Sequence, residues 1–170
     1  MVTTSAGILL YRVDLDGGVS ALVAHMGGPF WATKDAAAWS IPKGEYDPAV
    51  ESPRDAAKRE FREELGLEPP PGSDDDDAEL GTFASSSGKR VTVFAADGTG
   101  FEVEGAVFGL FEMEWPPRSG RRQSFPEVDR VEWMPLAEAR PRLVAGQRAA
   151  LDRLEEWLGE RRNPPRPNSS

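Results

Sequence analysis

The segment of residues 44–67 concentrates acidic residues in a stretch that has the pattern of a single helix. Glu60, Glu63 and Glu64 stand at positions i, i+3 and i+4, so their carboxylates are predicted to share one helical face. Like charges placed in this way repel one another and raise one another's pKa unless a cation lies among them. Hard oxygen ligands favour Mg²⁺, Mn²⁺ or Ca²⁺. The sequence therefore predicts a metal-binding face on this helix.

The sequence also predicts the two ends of the helix and its buried side. Ser52 is a good N-cap, Pro53 suits the first helical position, and Gly66 can supply a left-handed C-cap. Apolar residues repeat every four positions on the other side of the helix: Ala57, Phe61 and Leu65. One face is thus predicted to pack against a core, and the opposite face to bind.

A solvated charged face is the simpler interpretation of such a helix, with Arg59 and Glu63 as an i, i+4 pair. It does not explain why an apolar stretch that ends in Pro-Lys-Gly, residues 39–44, precedes the helix. A loop of that kind is suited to approach phosphate. Together the two segments favour a functional site.

The segment resembles the signature box of the Nudix hydrolases, whose pattern is G-x5-E-x7-R-E-U-x-E-E-x-G-U, with U aliphatic or aromatic. The match runs without a gap from Leu67 back to Glu51. Gly44 alone is displaced, because six residues rather than five separate it from Glu51. An insertion of one residue in a surface loop is usually absorbed. The chain is identified as a member of the family by this segment.

The resemblance implies hydrolysis of a pyrophosphate bond in a nucleoside diphosphate linked to another group, with Mg²⁺ as cofactor and Mn²⁺ as an alternative. The stretch Trp-Ser-Ile-Pro-Lys-Gly is similar to the Trp-x-x-Pro-Lys-Gly of diadenosine polyphosphate and diphosphoinositol polyphosphate hydrolases. Nucleoside triphosphates or dinucleoside polyphosphates are therefore the first expectation. ADP-ribose or another nucleotide sugar is the alternative substrate, and a non-catalytic nucleotide-sensing Nudix domain is the alternative function.

The resemblance also implies roles for individual residues of the box. The family's metal-binding positions correspond to three glutamates and one backbone carbonyl: Glu60, Glu63, Glu64 and Gly44. Arg59 is expected to orient Glu63 by hydrogen bonding, and Glu51 to support the ligands or the helix end from behind.

The general base is left open. It can come from the box, as Glu63 or Glu64, or from a downstream loop, where Glu127 is the best candidate. Glu112 and Glu114 are lesser candidates for the base. Each is expected to be an ordinary acid at a strand end.

Several cations are candidates for contacts with the phosphates of the substrate. Lys43 stands directly before Gly44, where the family often has a lysine. Arg118, Arg121 and Arg122 are predicted to form a positive rim beside Glu127, with a solvated loop as the alternative.

Composition limits the other classes of function. The 170 residues include no cysteine and one histidine, His25, which leaves the chemistry to carboxylates. A net charge of -9 argues against a nucleic-acid-binding surface, so the expected partner is a small nucleotide. No apolar run is long enough to span a membrane and no signal peptide is visible, so we expect a cytoplasmic protein. The expected oligomeric state is a monomer or a homodimer.

The remaining pattern predicts one domain over residues 1–161 and a disordered tail over residues 162–170. Strands are predicted at residues 5–13, 19–26, 39–41, 80–84, 90–96, 107–114 and 130–134, with a further helix around residues 150–158. Four aspartates at residues 74–77 are expected to form a solvated connector, and His25 a structural or surface residue. The predicted fold class is α+β, an α/β/α sandwich in which a mixed β-sheet packs between helices.

Overall fold

The computed structural model describes residues 3–74 and 78–167. Most of the predicted acidic connector, residues 75–77, and the end of the predicted tail, residues 168–170, lie outside the described residues. No helix in the described part of the chain is both long and apolar enough to cross a membrane.

Strands and helices follow one another along the chain with the following bounds. The strands are β1 Thr4–Val13, β2 Val19–Met26, β3 Trp39–Ser40, β4 Lys43–Glu45, β5 Glu79–Ala84, β6 Arg90–Asp97, β7 Leu110–Glu114, β8 Arg122–Pro126 and β9 Val128–Pro135. The helices are α1 Pro53–Leu65, α2 Leu136–Arg142 and α3 Arg148–Arg162. Short 3₁₀ turns lie at Pro71–Asp74 and Ala145–Gln147.

The main sheet is mixed and has β1 at its centre. Its strand order is β3-β2-β1-β6-β5, with β4 pairing with β1 and β9 pairing with β2. Strand β1 runs parallel to β6 and antiparallel to β2 and β4. The predicted hairpin of β1 and β2 is present, and strands β7 and β8 form a separate antiparallel pair.

Both faces of the sheet are covered by helices, which explains why β1 is buried along most of its length. Its side chains alternate between two cores. Ile8 and Leu10 face the core shared with α1, whereas Leu9 and Tyr11 face the core shared with α2 and α3. The predicted α/β/α sandwich with a mixed sheet is confirmed.

Helix α1 begins and ends where the sequence predicts. The side chain of Ser52 accepts a hydrogen bond of 3.1 Å from the backbone N–H of Asp55. Gly66 adopts φ 65° and donates its backbone N–H to the carbonyl of Arg62. The apolar side of the helix, with Phe61 and Leu65, is fully buried against the sheet. The acidic side is therefore turned away from the core.

The region after residue 105 departs from the predicted pattern. The strand predicted at residues 107–114 begins only at Leu110, and β8 was not predicted at all. Strand β8 reads Arg-Gln-Ser-Phe-Pro and is mostly exposed, so it lacks the alternation of apolar residues that marks a strand. Its pairing with β7 supplies the order that its own sequence does not specify. Strand β9 starts at Val128 rather than at residue 130.

His25 is a structural residue. Its side chain is fully buried, with Nδ1 2.8 Å from Oδ1 of Asp129 and Nε2 2.6 Å from the carbonyl oxygen of Lys34. The ring also meets Trp39 edge to face at a centroid distance of 5.0 Å. The imidazole thus ties β2 to β9 and to the loop before β3.

We predict that Phe61→Ala lowers the free energy of unfolding by about 3 to 5 kcal/mol, because it leaves a cavity between α1 and the sheet. The measurement is the denaturant midpoint of the two proteins. Val50→Ala, at a side chain that is 80% exposed, is the control and should change stability by less than about 0.5 kcal/mol. Equal effects of the two substitutions would contradict the assignment of Phe61 to the core.

Candidate active site

The acidic side of α1 faces strand β4 and the loop that precedes it. Strand β4 is held in place by its pairing with β1, in which Lys43 lies opposite Gly7 and Gly44 opposite Ala6. The backbone N–H of Lys43 donates a 2.9 Å hydrogen bond to Oε2 of Glu64. This bond fixes the start of β4 against the acidic face of the helix.

Arg59 joins three of the acidic residues. Its Nε donates to both carboxylate oxygens of Glu51 at 3.2 Å, and its Nη2 donates to one of them at 2.5 Å. Its Nη1 donates to Glu60 at 2.7 Å and to Glu63 at 3.1 Å. Hydrogen bonds with Glu51, and then with Glu60, raise the pKa of the Arg59 guanidinium. Arg59 therefore orients more of the site than the single partner, Glu63, that the sequence suggests.

Gly44 lies directly under the carboxylate of Glu60. A Cβ atom placed on Gly44 would stand 1.9 Å from Oε2 of Glu60, so a larger residue would displace that carboxylate. The extra residue in the loop before the helix has therefore not moved Gly44 out of the site. The glycine allows the strand and the carboxylate to approach this closely.

The glutamates stand in an environment that opposes their ionisation. Burial is the main cause that raises the pKa of Glu64 to about 8, and repulsion from Glu127 and Glu60 adds to it, while Lys43 acts in the opposite direction. Burial also raises the pKa of Glu60, and Glu63 and Glu127 add to that shift against the opposing effect of Arg59. Both carboxyl groups therefore keep their protons to a higher pH than an ordinary glutamate does.

Glu127 lies on the other side of the site, held by its backbone. Its N–H donates to the carbonyl of Gly109, and its carbonyl accepts from the N–H of Gly27, both at 2.8 Å. A Cβ on Gly109 would stand 3.4 Å from Oε2 of Glu127 and 3.2 Å from the carbonyl of Glu63. Only a glycine thus separates Glu127 from the acidic end of α1, and the carboxylate is near enough to raise the pKa of Glu60 and Glu64.

The donor set suits a divalent cation by its chemistry. It consists of oxygens only. Burial, with a smaller contribution from neighbouring carboxylates, raises the pKa of Glu60 and Glu64, and a bound cation would favour their ionised forms. Within the described residues no three acidic or histidine side chains converge into a finished cage. Nη1 of Arg59 bridges Glu60 and Glu63, so a cation bound to both carboxylates would break these two hydrogen bonds. Glu60, Glu63, Glu64 and Gly44 are the residues that could hold it.

The three arginines of the predicted rim lie elsewhere. Arg118 is in the turn of the β7–β8 hairpin, and Arg122 pairs with Glu114 at the same end. Glu127 follows the opposite end of β8, where Pro126 pairs with Leu110. The expectation that the arginines stand beside Glu127 is therefore not met, because the intervening residues form an extended strand rather than a compact loop.

The two alternative acids belong to the hairpin itself. Oε2 of Glu112 lies 3.8 Å from Nε of Arg122, and Oε1 of Glu114 accepts the backbone N–H of Gly120 at 3.0 Å. Both side chains thus have structural partners in the hairpin.

Gly109 is a residue of the site that the sequence does not indicate. Its carbonyl accepts the N–H of Glu127, and a Cβ atom placed on it would stand 3.2 Å from the carbonyl oxygen of Glu63, which is far from it in sequence. No local pattern marks a glycine used in this way.

Comparison with known proteins agrees with this geometry. The family model described as NUDIX domain matches residues 3–154. The chain belongs to the Nudix family, and its class is that of the Nudix-type pyrophosphohydrolases, hydrolases that act on acid anhydrides in phosphorus-containing compounds. A search of curated proteins finds no match.

Solved structures share the fold at low sequence identity. The C. elegans Ap4A hydrolase, as a binary complex, is 22% identical with a TM-score of 0.59, covering 93% of this chain and 98% of that chain. The NUDIX domain of Shewanella oneidensis NrtR, complexed with ADP ribose, is 17% identical with a TM-score of 0.57, covering 93% and 89%. The MutT protein from Methanosarcina mazei Go1 is 20% identical with a TM-score of 0.56, covering 91% and 94%.

We predict that Glu64→Gln stabilises the metal-free protein at alkaline pH. The folded-state pKa of Glu64, about 8, lies above its ordinary value of 4.5, so ionisation costs stability as pH rises from about 4.5 to 8. The glutamine removes this cost and keeps an oxygen for the N–H of Lys43. Melting temperatures in EDTA should differ little near pH 4.5, and the variant should melt higher than the parent above pH 8.

Glu104→Gln, at an exposed side chain outside the site, is the matched control and should show no such pH-dependent gain. A Glu64→Gln variant that melts below the parent at every pH would mean that the carboxylate is structural.

Proposed function

We propose that this chain hydrolyses a pyrophosphate bond of a nucleoside triphosphate or dinucleoside polyphosphate with Mg²⁺ as cofactor. The observation that carries the proposal is the meeting of α1, β4 and the residue after β8 at one place. There Glu60 is hydrogen-bonded to Arg59 and Glu64 to the backbone N–H of Lys43, the pKa of both carboxyl groups is raised, and Gly109 lies between Glu127 and the end of α1. The carboxylates of such a site repel an anionic substrate unless a cation binds between them.

The reaction is the attack of water on phosphorus. A bond forms between the water oxygen and phosphorus, the bond to the bridging oxygen breaks, and the leaving phosphate departs with the electron pair. A bound divalent cation would neutralise phosphate oxygens and lower the pKa of water. Glu60, Glu63 and Glu64 would hold the cation, and the carbonyl of Gly44 would add a ligand.

The protein's other residues position the reactants. Arg59 bridges and orients the carboxylates of Glu60 and Glu63, and Glu51 holds Arg59 in turn. Lys43 binds a phosphate oxygen through its ammonium group. Glu127 accepts the proton of the attacking water at a carboxylate oxygen. Its backbone is held by hydrogen bonds at both its N–H and its carbonyl, and its side chain is exposed to solvent.

Two observations support a polyphosphate substrate. The stretch before the helix is similar to that of diadenosine polyphosphate hydrolases, and the Ap4A hydrolase of C. elegans is among the structural neighbours. ADP-ribose is the second candidate, since a neighbour of similar TM-score carries it.

We predict Mg²⁺-dependent turnover in a screen that includes ATP, diadenosine tetraphosphate and ADP-ribose. The products are treated with phosphatase, and the released phosphate is measured. The polyphosphates should give the higher kcat/KM. Glu63→Gln and Glu64→Gln should each lose most turnover while keeping the fold, because each removes ligand charge. Wild-type rates in both variants at equal Mg²⁺ would rule out the metal site.

We predict that Glu127→Gln lowers kcat about 100-fold or more with little change in KM, as loss of a general base does. Steady-state kinetics at saturating Mg²⁺ measure this. Glu132→Gln on β9, at a side chain that is 51% exposed and paired with Arg130, is the control and should leave kcat unchanged. A normal kcat in Glu127→Gln would move the search for the base to Glu63 or Glu64.

A further inference from the structure

A cleft of about 570 Å³ has Lys43 on its wall and none of the site's glutamates in its lining. It is bounded by the turn between β5 and β6, by Lys43 and by the short 3₁₀ turn at Ala145–Gln147. Six of its lining residues carry the inference: Lys43, Ser85, Ser86, Ser87, Lys89 and Arg90.

The cleft has a charge opposite to that of the protein. The chain carries 29 acidic and 20 basic residues, yet none of the described residues that line the cleft is Asp or Glu. Lys43, Lys89 and Arg90 are the cations on its wall. Among the ion pairs of the described residues, none involves Lys89 or Arg90, whereas most arginines on the helices are paired. The two charges are thus available for an anion.

The turn between β5 and β6 presents hydroxyl groups in an ordered conformation. The N–H of Ser85 donates to the carbonyl of Lys89 at 2.9 Å, and the N–H of Gly88 donates to the carbonyl of Ser85 at 3.0 Å. Oγ of Ser85 lies 2.8 Å from Oγ of Ser87. Serine hydroxyls beside a lysine and an arginine are donors suited to phosphate oxygens.

The floor of the cleft is fixed by a buried amide. The side-chain oxygen of Gln147 accepts the backbone N–H of Ile41 at 2.7 Å, and its nitrogen donates to Oγ of Ser40 at 3.0 Å. Gln147 is 3% exposed. This contact holds the segment just before Lys43 against the chain that leads into α3, so the shape of the cleft is set before any ligand enters.

Lys43 connects the cleft with the carboxylate site. Its backbone N–H holds Glu64, and its side chain lines the cleft. Lys43 and Val93 lie on either side of the same residue of β1, Gly7, so β4 and β6 are two strand spacings apart, about 10 Å. Lys43 thus takes part in both places, through its backbone in the carboxylate site and through its side chain in the wall of the cleft.

We propose that this cleft binds the phosphate groups of the substrate that lie beyond the scissile pyrophosphate, and that Lys89 and Arg90 thereby select substrates with a longer phosphate chain. The inference rests on the proposed function and deepens it. A nucleotide whose second moiety is an uncharged sugar leaves the two cations without a partner, and gains nothing from them.

The kinetic test compares adenosine tetraphosphate with ADP-ribose in the double variant Lys89→Gln/Arg90→Gln. We expect kcat/KM for adenosine tetraphosphate to fall about 10-fold or more, with the change mainly in KM, and kcat/KM for ADP-ribose to stay within about two-fold. The matched control is Arg162→Gln/Arg166→Gln, which removes the same charge at exposed positions far along the chain. The control should leave kcat/KM unchanged for both substrates.

Each other outcome overturns the inference. An equal loss for both substrates in the cleft variant would mean a general structural or electrostatic effect, and no loss for adenosine tetraphosphate would mean that the cleft is not used. An equal loss in the control would mean that net charge alone is responsible.

A binding measurement separates this inference from the proposed function. Titration calorimetry with inorganic tripolyphosphate in EDTA should show binding to the wild type and to the control, and at least about 10-fold weaker binding to the cleft variant. If the wild type hydrolyses no nucleotide but binds tripolyphosphate through Lys89 and Arg90, the proposed function fails and the anion site stands. Equal affinity in all three proteins, or no binding to the wild type, would refute the site.

Discussion

The guanidinium of Arg59 is the interaction on which the rest of the site depends. It contacts Glu51 before the helix and both Glu60 and Glu63 on the helix. It thus places one positive charge among carboxylates, of which Glu60 has a pKa raised by burial and by its neighbours. Buried or crowded charges are tolerated only when they are paired. Arg59 provides this pairing for the carboxylates of Glu60 and Glu63, whereas Glu64 relies on the N–H of Lys43. The helix can thus carry an acidic face that remains ready for a cation.

Strand β1 sets the geometry around that helix. Because it pairs with β4 on one side and with β6 on the other, it fixes Lys43 relative to Arg90 and Val91, which line the same cleft. Its alternating side chains bury α1 on one face of the sheet and α2 and α3 on the other. One lysine therefore links the carboxylate site with the positive cleft, and the proposed binding of a phosphate chain rests on that link.

The sequence predicts local features of this molecule well and distant ones less well. The helix with its caps, its buried face and its glutamates follows from residues within one segment, and the mixed sheet follows from the apolar strands. Strand β8 and the position of the hairpin arginines were not predictable, because pairing with β7 decides them and the strand has no apolar alternation. The contact of Gly109 with Glu127 and the floor formed by Gln147 are long-range contacts that no local pattern records.

The most direct test of the central claim, that the acidic face of α1 binds the catalytic cation, is an anomalous difference map from crystals soaked in Mn²⁺. We predict a peak within coordination distance, about 2.0 to 2.5 Å, of carboxylate oxygens of Glu60 and Glu64, with Arg59 moved away from the bridge between Glu60 and Glu63. Crystals of Glu64→Gln should lose most of the peak. Mn²⁺ bound only elsewhere, or an unchanged peak in Glu64→Gln, would contradict the account.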